Sequence, residues 1–151
     1  MNVKTEWGIV GMGVMGTALS RNFARNGIKI ALFNRRIKKL EEEVALKKTK
    51  LYSELADNQA FEELDQFVFA LKAPRKILLM LPAGDPTENL LEQLGPLLSK
   101  GDIVIDAGNA HYQQTEKRSK SFIKNIEDKL GVKVTLIGTG AGVNDIIDLR
   151  T

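Results

Sequence analysis

Short apolar runs alternate along this chain with longer segments whose apolar residues recur every three or four positions. Trp7-Gly8-Ile9-Val10 is the first apolar run and predicts a strand. Met15, Leu19, Phe23 and Ala24 follow at helical spacing, and Asn26-Gly27 supplies a stop with glycine in the C-terminal cap. Ile28 to Phe33 predicts a second strand. From Arg36 to about Lys50 the spacing of Ile37, Leu40 and Val44 predicts a helix, with Lys38-Lys39 and Glu41-Glu42-Glu43 on a solvated face. Tyr52 to Leu71 reads as one or two short helices carrying Leu55, Phe61, Leu64, Val68 and Leu71, stopped by Pro74. The apolar run Lys76 to Leu81 predicts a strand covered on both faces. A helix from Thr87 to Leu98, a strand Ile103 to Asp106, a polar loop and helix from Ala107 to Leu130, and a strand Val132 to Ile137 complete the pattern. Strands alternating with helices predict an α/β fold with a doubly wound, mainly parallel sheet.

The turn after the first strand carries the most information. Gly11-Met12-Gly13-Val14-Met15-Gly16 is a G-x-G-x-x-G run that leaves a strand and opens a helix. Gly11 suits the tight turn, Gly13 leaves room for a pyrophosphate, and Gly16 lets the helix pack closely on the strand. The phosphates would rest on backbone N–H groups at the positive end of the helix dipole. Strand, glycine turn, helix and strand make one βαβ unit of about 30 residues, a Rossmann-type dinucleotide-binding arrangement.

Bulk properties narrow the picture. The 151 residues, 43% hydrophobic and 27% charged, suit one domain with a core, here 1–151. Twenty-two basic against 19 acidic residues give a net charge of +3, which suits a phosphate-bearing ligand but lacks the excess that a nucleic-acid partner needs. Without cysteine there is no disulfide, thiolate nucleophile or cysteine-based metal site, and no metal is expected. No signal-peptide core and no apolar run near the ~18 residues of a membrane span is present, which predicts a cytoplasmic protein without membrane contact.

Ligands of this fold bind beyond the carboxyl ends of the strands. After the second strand stand Asn34-Arg35-Arg36, where NAD-binding proteins place a carboxylate for the ribose 2′-hydroxyl. Asn34 can donate to a 2′-phosphate and Arg35, ahead of Arg36, can clamp it, so NADP is expected over NAD. The alternative is two arginines at an exposed helix start. After the next strand, the small residues of Leu81-Pro82-Ala83-Gly84 either leave room for a nicotinamide ribose or form an ordinary turn. After the fourth strand, Asn109 is a neutral donor and acceptor facing the same crevice, Asp106 caps the loop, and His111, the only histidine, reads as exposed.

Four segments together resemble the N-terminal coenzyme-binding domain of the 6-phosphogluconate dehydrogenases, within the β-hydroxyacid dehydrogenases. They are Gly11–Gly16 with Asn22, Phe33-Asn34-Arg35, Pro74–Ile77 ending in Ala83-Gly84, and Gly101–Asp106 followed by Gly108-Asn109, Tyr112, Thr115 and Arg118. The resemblance covers roughly residues 6 to 140. It implies that Gly11, Gly13, Gly16, Asn34 and Arg35 hold NADP and that Ala83 lines the nicotinamide side; by their place in the same turns, Met12, Val14, Met15, Arg36, Leu81 and Pro82 complete the expected coenzyme site. It also implies that Asn109 lies between coenzyme and substrate, contacting both. The reaction implied is oxidation and decarboxylation of 6-phosphogluconate to ribulose 5-phosphate, in the pentose phosphate pathway, with a homodimer left open.

Departures from the family are equally specific. Arg36 replaces a usual threonine, Ala107 and Ala110 flank Gly108-Asn109 where glycine and serine are usual, and Gln114 replaces aspartate. After Ile137–Gly140 the family's Ser-Gly-Gly substrate loop is unrecognisable in Ala141–Thr151. The family's catalytic lysine and general acid lie beyond that loop, and the local Lys117 and Lys120 read as a solvated helix surface. The expectation is a coenzyme-binding domain, inactive alone, with catalytic residues unassigned. The competing readings are a non-enzymatic NADP(H)-sensing module and the coenzyme domain of another hydroxyacid dehydrogenase.

Overall fold

The computed structural model describes residues 4–82, 84–108, 136–138 and 146–148, the last two stretches by their strand pairing alone. Strands β1 (Thr5–Val10), β2 (Ile30–Phe33), β3 (Gln59–Phe61), β4 (Leu71–Leu79), β5 (Ile103–Asp106), β6 (Leu136–Gly138) and β7 (Ile146–Asp148) form one sheet. Their order is β3-β2-β1-β4-β5-β6-β7. All neighbours are parallel except β6 and β7. The chain winds outward from β1 to β3, returns, and winds the other way from β4. The switch point therefore lies between β1 and β4, where this fold opens a crevice at the carboxyl ends. Helices α1 (Val14–Arg25), α2 (Val44–Leu51), α3 (Leu64–Phe69) and α4 (Asp85–Leu94) connect the strands.

Successive strand residues face opposite sides of a sheet, so a strand covered twice needs apolar residues throughout. All four residues of β2 are buried. Ile30 and Leu32 join Ile9, Met12, Ala45 and Leu55, with Leu19, Phe23 and Val44 of α1 and α2 packed against them. Ala31 and Phe33 join Phe67, Val68, Ile77, Leu79 and the α4 residues Leu90, Leu91 and Leu94 on the opposite face. Phe67 is central there, 5.4 Å from the Phe33 ring and 6.3 Å from Phe61. A Cβ on Gly8 would run into its ring, so β1 is open at Gly8 to admit Phe67.

Four elements differ from the sequence expectation. Tyr52 to Leu71 contains a 3-10 turn (Ser53–Leu55), the edge strand β3 and only then α3. An edge strand of three residues, all half-buried, is too short to separate from helical spacing. Pro74 stops no helix; it lies within β4, where the register between β1 and β4 is irregular between Thr5 and Trp7. The predicted helix from Arg36 begins only at Val44. Ile37 and Glu41 pair as a small bridge instead, and Leu40 is exposed. Strand β7 falls in the divergent tail, where no strand was expected. The predicted helix between Ala107 and Leu130, and the Val132–Thr135 part of the last predicted strand, lie outside the described residues beyond Gly108.

Two ion-pair sites pin these layers. Arg21 and Arg25 of α1 both reach Glu54, at 2.7 Å each, and Arg21 stacks over the Tyr52 ring. The hydrogen bond from Arg21 holds the Glu54 carboxyl at about 2, well below the usual carboxylate range. On the other face Asp102 is buried before β5. It accepts from the Arg75 N–H at 2.7 Å, the Arg75 guanidinium at 2.7 Å and the Ser99 N–H at 3.0 Å. Arg75 also donates to the Val68 carbonyl, so one pair joins α3, β4 and the turn into β5.

Burial alone would raise the Asp102 carboxyl, but the Arg75 and Ser99 bonds outweigh it and hold the group below its ordinary value. A depressed folded pKa stabilises the protein above the unfolded value of about 3.9, and that contribution fades as pH falls through the folded value. Asp102→Ala is therefore expected to cost about 3 kcal/mol at pH 7, since it strands a largely buried guanidinium. Urea unfolding of both proteins at pH 7 and pH 3 checks this: the gap between them should narrow at the lower pH.

Candidate functional site

The carboxyl ends of β2, β1, β4 and β5 end nearly level. Backbone bonds run from Gly11 N–H to Phe33 C=O, Met80 N–H to Val10 C=O, and Ala107 N–H to Leu79 C=O. A cleft of about 360 Å³ opens over the first three of these ends. Its floor is the glycine turn, one wall is the end of β2 with Asn34 and Arg35, and the other is Met80, Leu81 and Pro82 with α4 beyond.

The three glycines of the turn meet different demands. Gly11 has a φ of +91°, and a Cβ there would lie 2.6 Å from the Met80 carbonyl oxygen. Both the backbone conformation and the crossing of β4 require glycine at that position. Gly16 is buried in the first turn of α1, where a Cβ would run into the Gly11 carbonyl. Gly13 has an ordinary extended backbone, and a Cβ there would meet nothing within 4 Å. No contact within the described residues requires glycine at position 13.

Small side chains hold α1 against the turn. The buried stripe of α1 is Gly16, Thr17 and Ser20. Thr17 donates to the Met12 carbonyl at 3.0 Å and Ser20 to the Gly16 carbonyl at 2.7 Å. The apolar spacing suggested Met15 on this inner face; instead Met15 and Val14 are exposed, at 64% and 87%. Close helix approach needs small residues inward, and that turns the first-turn apolar side chains outward. No side chain caps α1 and no acidic residue stands in its first turn. Its leading N–H groups point past Gly13 with the positive end of the helix dipole behind them.

Asn34 ties this turn to β2. Its side-chain oxygen accepts from the buried Met12 N–H at 2.9 Å. Its amide nitrogen donates to the Arg35 carbonyl at 3.0 Å and to the Glu41 carboxylate at 3.2 Å. An amide with its oxygen and both hydrogens engaged acts first as a tether of the loop. Arg35 extends over the cleft rim with its Nε 3.7 Å from Glu41. Arg36 is turned aside, pairing with Glu42 at 3.2 Å.

The structure thus brings Gly11, Met12, Gly13, Asn34, Arg35, Leu81 and Pro82 around one cleft. Gly16, Val14, Met15 and Arg36 do not line it, although Val14 and Met15 follow directly on Gly13 in the first turn of α1. Ala83 and Asn109 lie outside the described residues, as do His111, Tyr112, Gln114, Thr115, Lys117, Arg118 and Lys120. Gly108 is described: a Cβ there would strike the Leu81 carbonyl, and its N–H donates to Asp106 at 3.0 Å. Sequence reasoning missed Glu41, Asn89 and Gln93, which also line the cleft. Glu41 was hidden because residues 36–43 read as a helix with solvated charges. The positive φ of Lys39 (67°) and Glu43 (53°) shows why they form a loop that returns to the site.

Among the described residues no group of His, Cys, Asp and Glu side chains is placed to hold a metal, and no helix is long and apolar enough to cross a membrane.

Comparison with known proteins agrees with this geometry. Residues 6–141 match the NAD binding domain of 6-phosphogluconate dehydrogenase. The decarboxylating 6-phosphogluconate dehydrogenase of Trypanosoma brucei brucei is 42% identical over 116 residues, covering 76% of this chain and 24% of that protein. The NAD(+)-dependent decarboxylating enzyme of Bacillus subtilis (strain 168) is 35% identical over 131 residues, covering 85% of this chain and 26% of that protein. The chain spans about a quarter of the length of these relatives. A solved 6-phosphogluconate dehydrogenase from Plasmodium falciparum, studied with NADP+ and with 6-phosphogluconate, superposes with a TM-score of 0.71 at 29% identity, over 87% of this chain and 27% of that one. With the switch-point cleft, the uncapped helix and the match over residues 6–141 in agreement, this chain belongs to the family of the NAD binding domain of 6-phosphogluconate dehydrogenase.

Proposed function

We propose that this chain binds NADP as the coenzyme portion of a decarboxylating 6-phosphogluconate dehydrogenase. The observation that carries the reading is the open space at Gly13. Gly11 and Gly16 are glycines because the protein's own backbone leaves no room for a Cβ, whereas nothing in the described protein fills the space at Gly13. A ligand backbone passing over the turn accounts for that glycine, and a pyrophosphate is the group this position accepts.

The remaining assignments follow from position. The N–H groups of Gly13, Val14 and Met15 hold the pyrophosphate, which explains why two exposed apolar side chains belong to the site through their backbone. Arg35 meets the 2′-phosphate at the end of β2, with Asn34 holding the loop in place. Leu81, Pro82 and, by resemblance, Ala83 and Asn109 line the nicotinamide side. Bound there, the coenzyme supplies a hydride acceptor. Asn109 also meets the substrate, 6-phosphogluconate by family resemblance, while the acid–base groups of the reaction belong, by the same resemblance, to the part of the relatives' length that this chain does not span.

Calorimetric titration with both coenzymes tests the reading. An arginine–phosphate bond of about 1.5 kcal/mol makes NADP bind about tenfold tighter than NAD. Gly13→Val is expected to keep the wild-type circular dichroism and melting curve and lose NADP binding. Gly16→Val is expected to lose the fold, because its side chain enters the Gly11 carbonyl. Undiminished NADP binding by Gly13→Val would contradict the phosphate cradle.

A further inference from the structure

We propose that Glu41 moderates the coenzyme preference of this cleft by occupying, with its carboxylate, the anion position beside Arg35 that a 2′-phosphate must take. The inference rests on the coenzyme reading above and deepens it.

Glu41 is held in place through its main chain. Its carbonyl accepts from the Ile37 N–H at 2.7 Å, and its own N–H donates to the Ile37 carbonyl at 2.8 Å. This closed loop carries the carboxylate back over the end of β2. There it accepts from the Asn34 amide at 3.2 Å and stands 3.7 Å from the Arg35 Nε. Glu41 and Arg35 line the cleft together. The neighbouring Arg36 is matched by Glu42 in the same way. Each arginine after β2 thus already faces a carboxylate contributed by its own loop.

Consider the two ribose forms at this position. A 2′-hydroxyl can donate to a carboxylate, so Glu41 is compatible with it. A 2′-phosphate carries about two negative charges and must push Glu41 away before it reaches Arg35. The pair it breaks is loose and partly exposed, with side chains 59% and 41% accessible, so the displacement is inexpensive. The carboxylate therefore moderates the preference for the phosphorylated coenzyme without abolishing it. The same contacts make Glu41 a positioning residue for Asn34, and the two roles separate in the choice of variant.

Glu41→Gln keeps an acceptor for the Asn34 amide and removes only the charge. The probes are 2′,5′-ADP and 5′-AMP, titrated calorimetrically into the whole chain, alongside NADP. The variant is expected to bind 2′,5′-ADP about three- to tenfold tighter than wild type, with 5′-AMP unchanged or weaker. Should the glutamine variant fail to fold, Glu41→Ser removes the same charge and is expected to move the ratio of the two affinities in the same direction. Unchanged or weaker binding of 2′,5′-ADP, while wild type binds NADP normally, overturns the role of Glu41 and leaves the coenzyme reading intact. Failure of wild type and variant alike to bind NADP overturns both.

Discussion

The site depends on one close approach: the first turn of α1 against the backbone at the end of β1. Gly16 packs where a Cβ would enter the Gly11 carbonyl, and Gly11 crosses β4 where a Cβ would meet the Met80 carbonyl. Those two absences let the helix begin at the sheet's edge, with its leading N–H groups facing the switch point between β1 and β4. A helix set even one methyl group further out would leave Thr17 without its carbonyl partner at Met12. Asn34 then fixes the turn sideways by accepting from the Met12 N–H, so the cradle is held from the helix, from β4 and from β2.

The electrostatics of the cleft are graded along its length. At the glycine turn the field is that of an uncapped helix N-terminus with no acidic residue in the first turn. At the β2 end, guanidinium and carboxylate stand together in the Arg35–Glu41 pair. Positive potential thus comes from the backbone at one end and from an ion-paired side chain at the other. In the proposed reading this division separates what NAD and NADP share, a pyrophosphate, from what distinguishes them, the 2′-substituent. Relatives of this family include an enzyme described as NAD(+)-dependent.

Much of this was readable in the residues because the constraints were local. The glycine turn, the stop at Asn26-Gly27, the strand β2 and the twice-covered end of β4 each follow from backbone sterics or burial on neighbouring residues. Gly27 has the expected positive φ of 75°. Tertiary contacts decided the rest. Leu40 fits a helical stripe by spacing, yet the bridge between Ile37 and Glu41 wins and leaves it exposed. β3 exists because β2 offers Ala31 to Phe33 as a parallel edge, information absent from Gln59–Phe61 itself. Met15 was placed inward by its hydrophobicity, but the need for a small-residue interface turned it out. Asn34 was read as a ligand donor because its tethering bond to Met12, 22 residues away, is invisible along the chain.

The central claim, that a phosphate-bearing coenzyme rests on the backbone of the glycine turn, is most directly tested by amide spectra of the uniformly 15N-labelled chain during NADP titration. The account predicts that the Gly13, Val14 and Met15 amide signals move furthest and gain protection from exchange, while Gly27 and Gly101, which do not line the cleft, stay in place. Saturable NADP binding that leaves those three amides unmoved would contradict it.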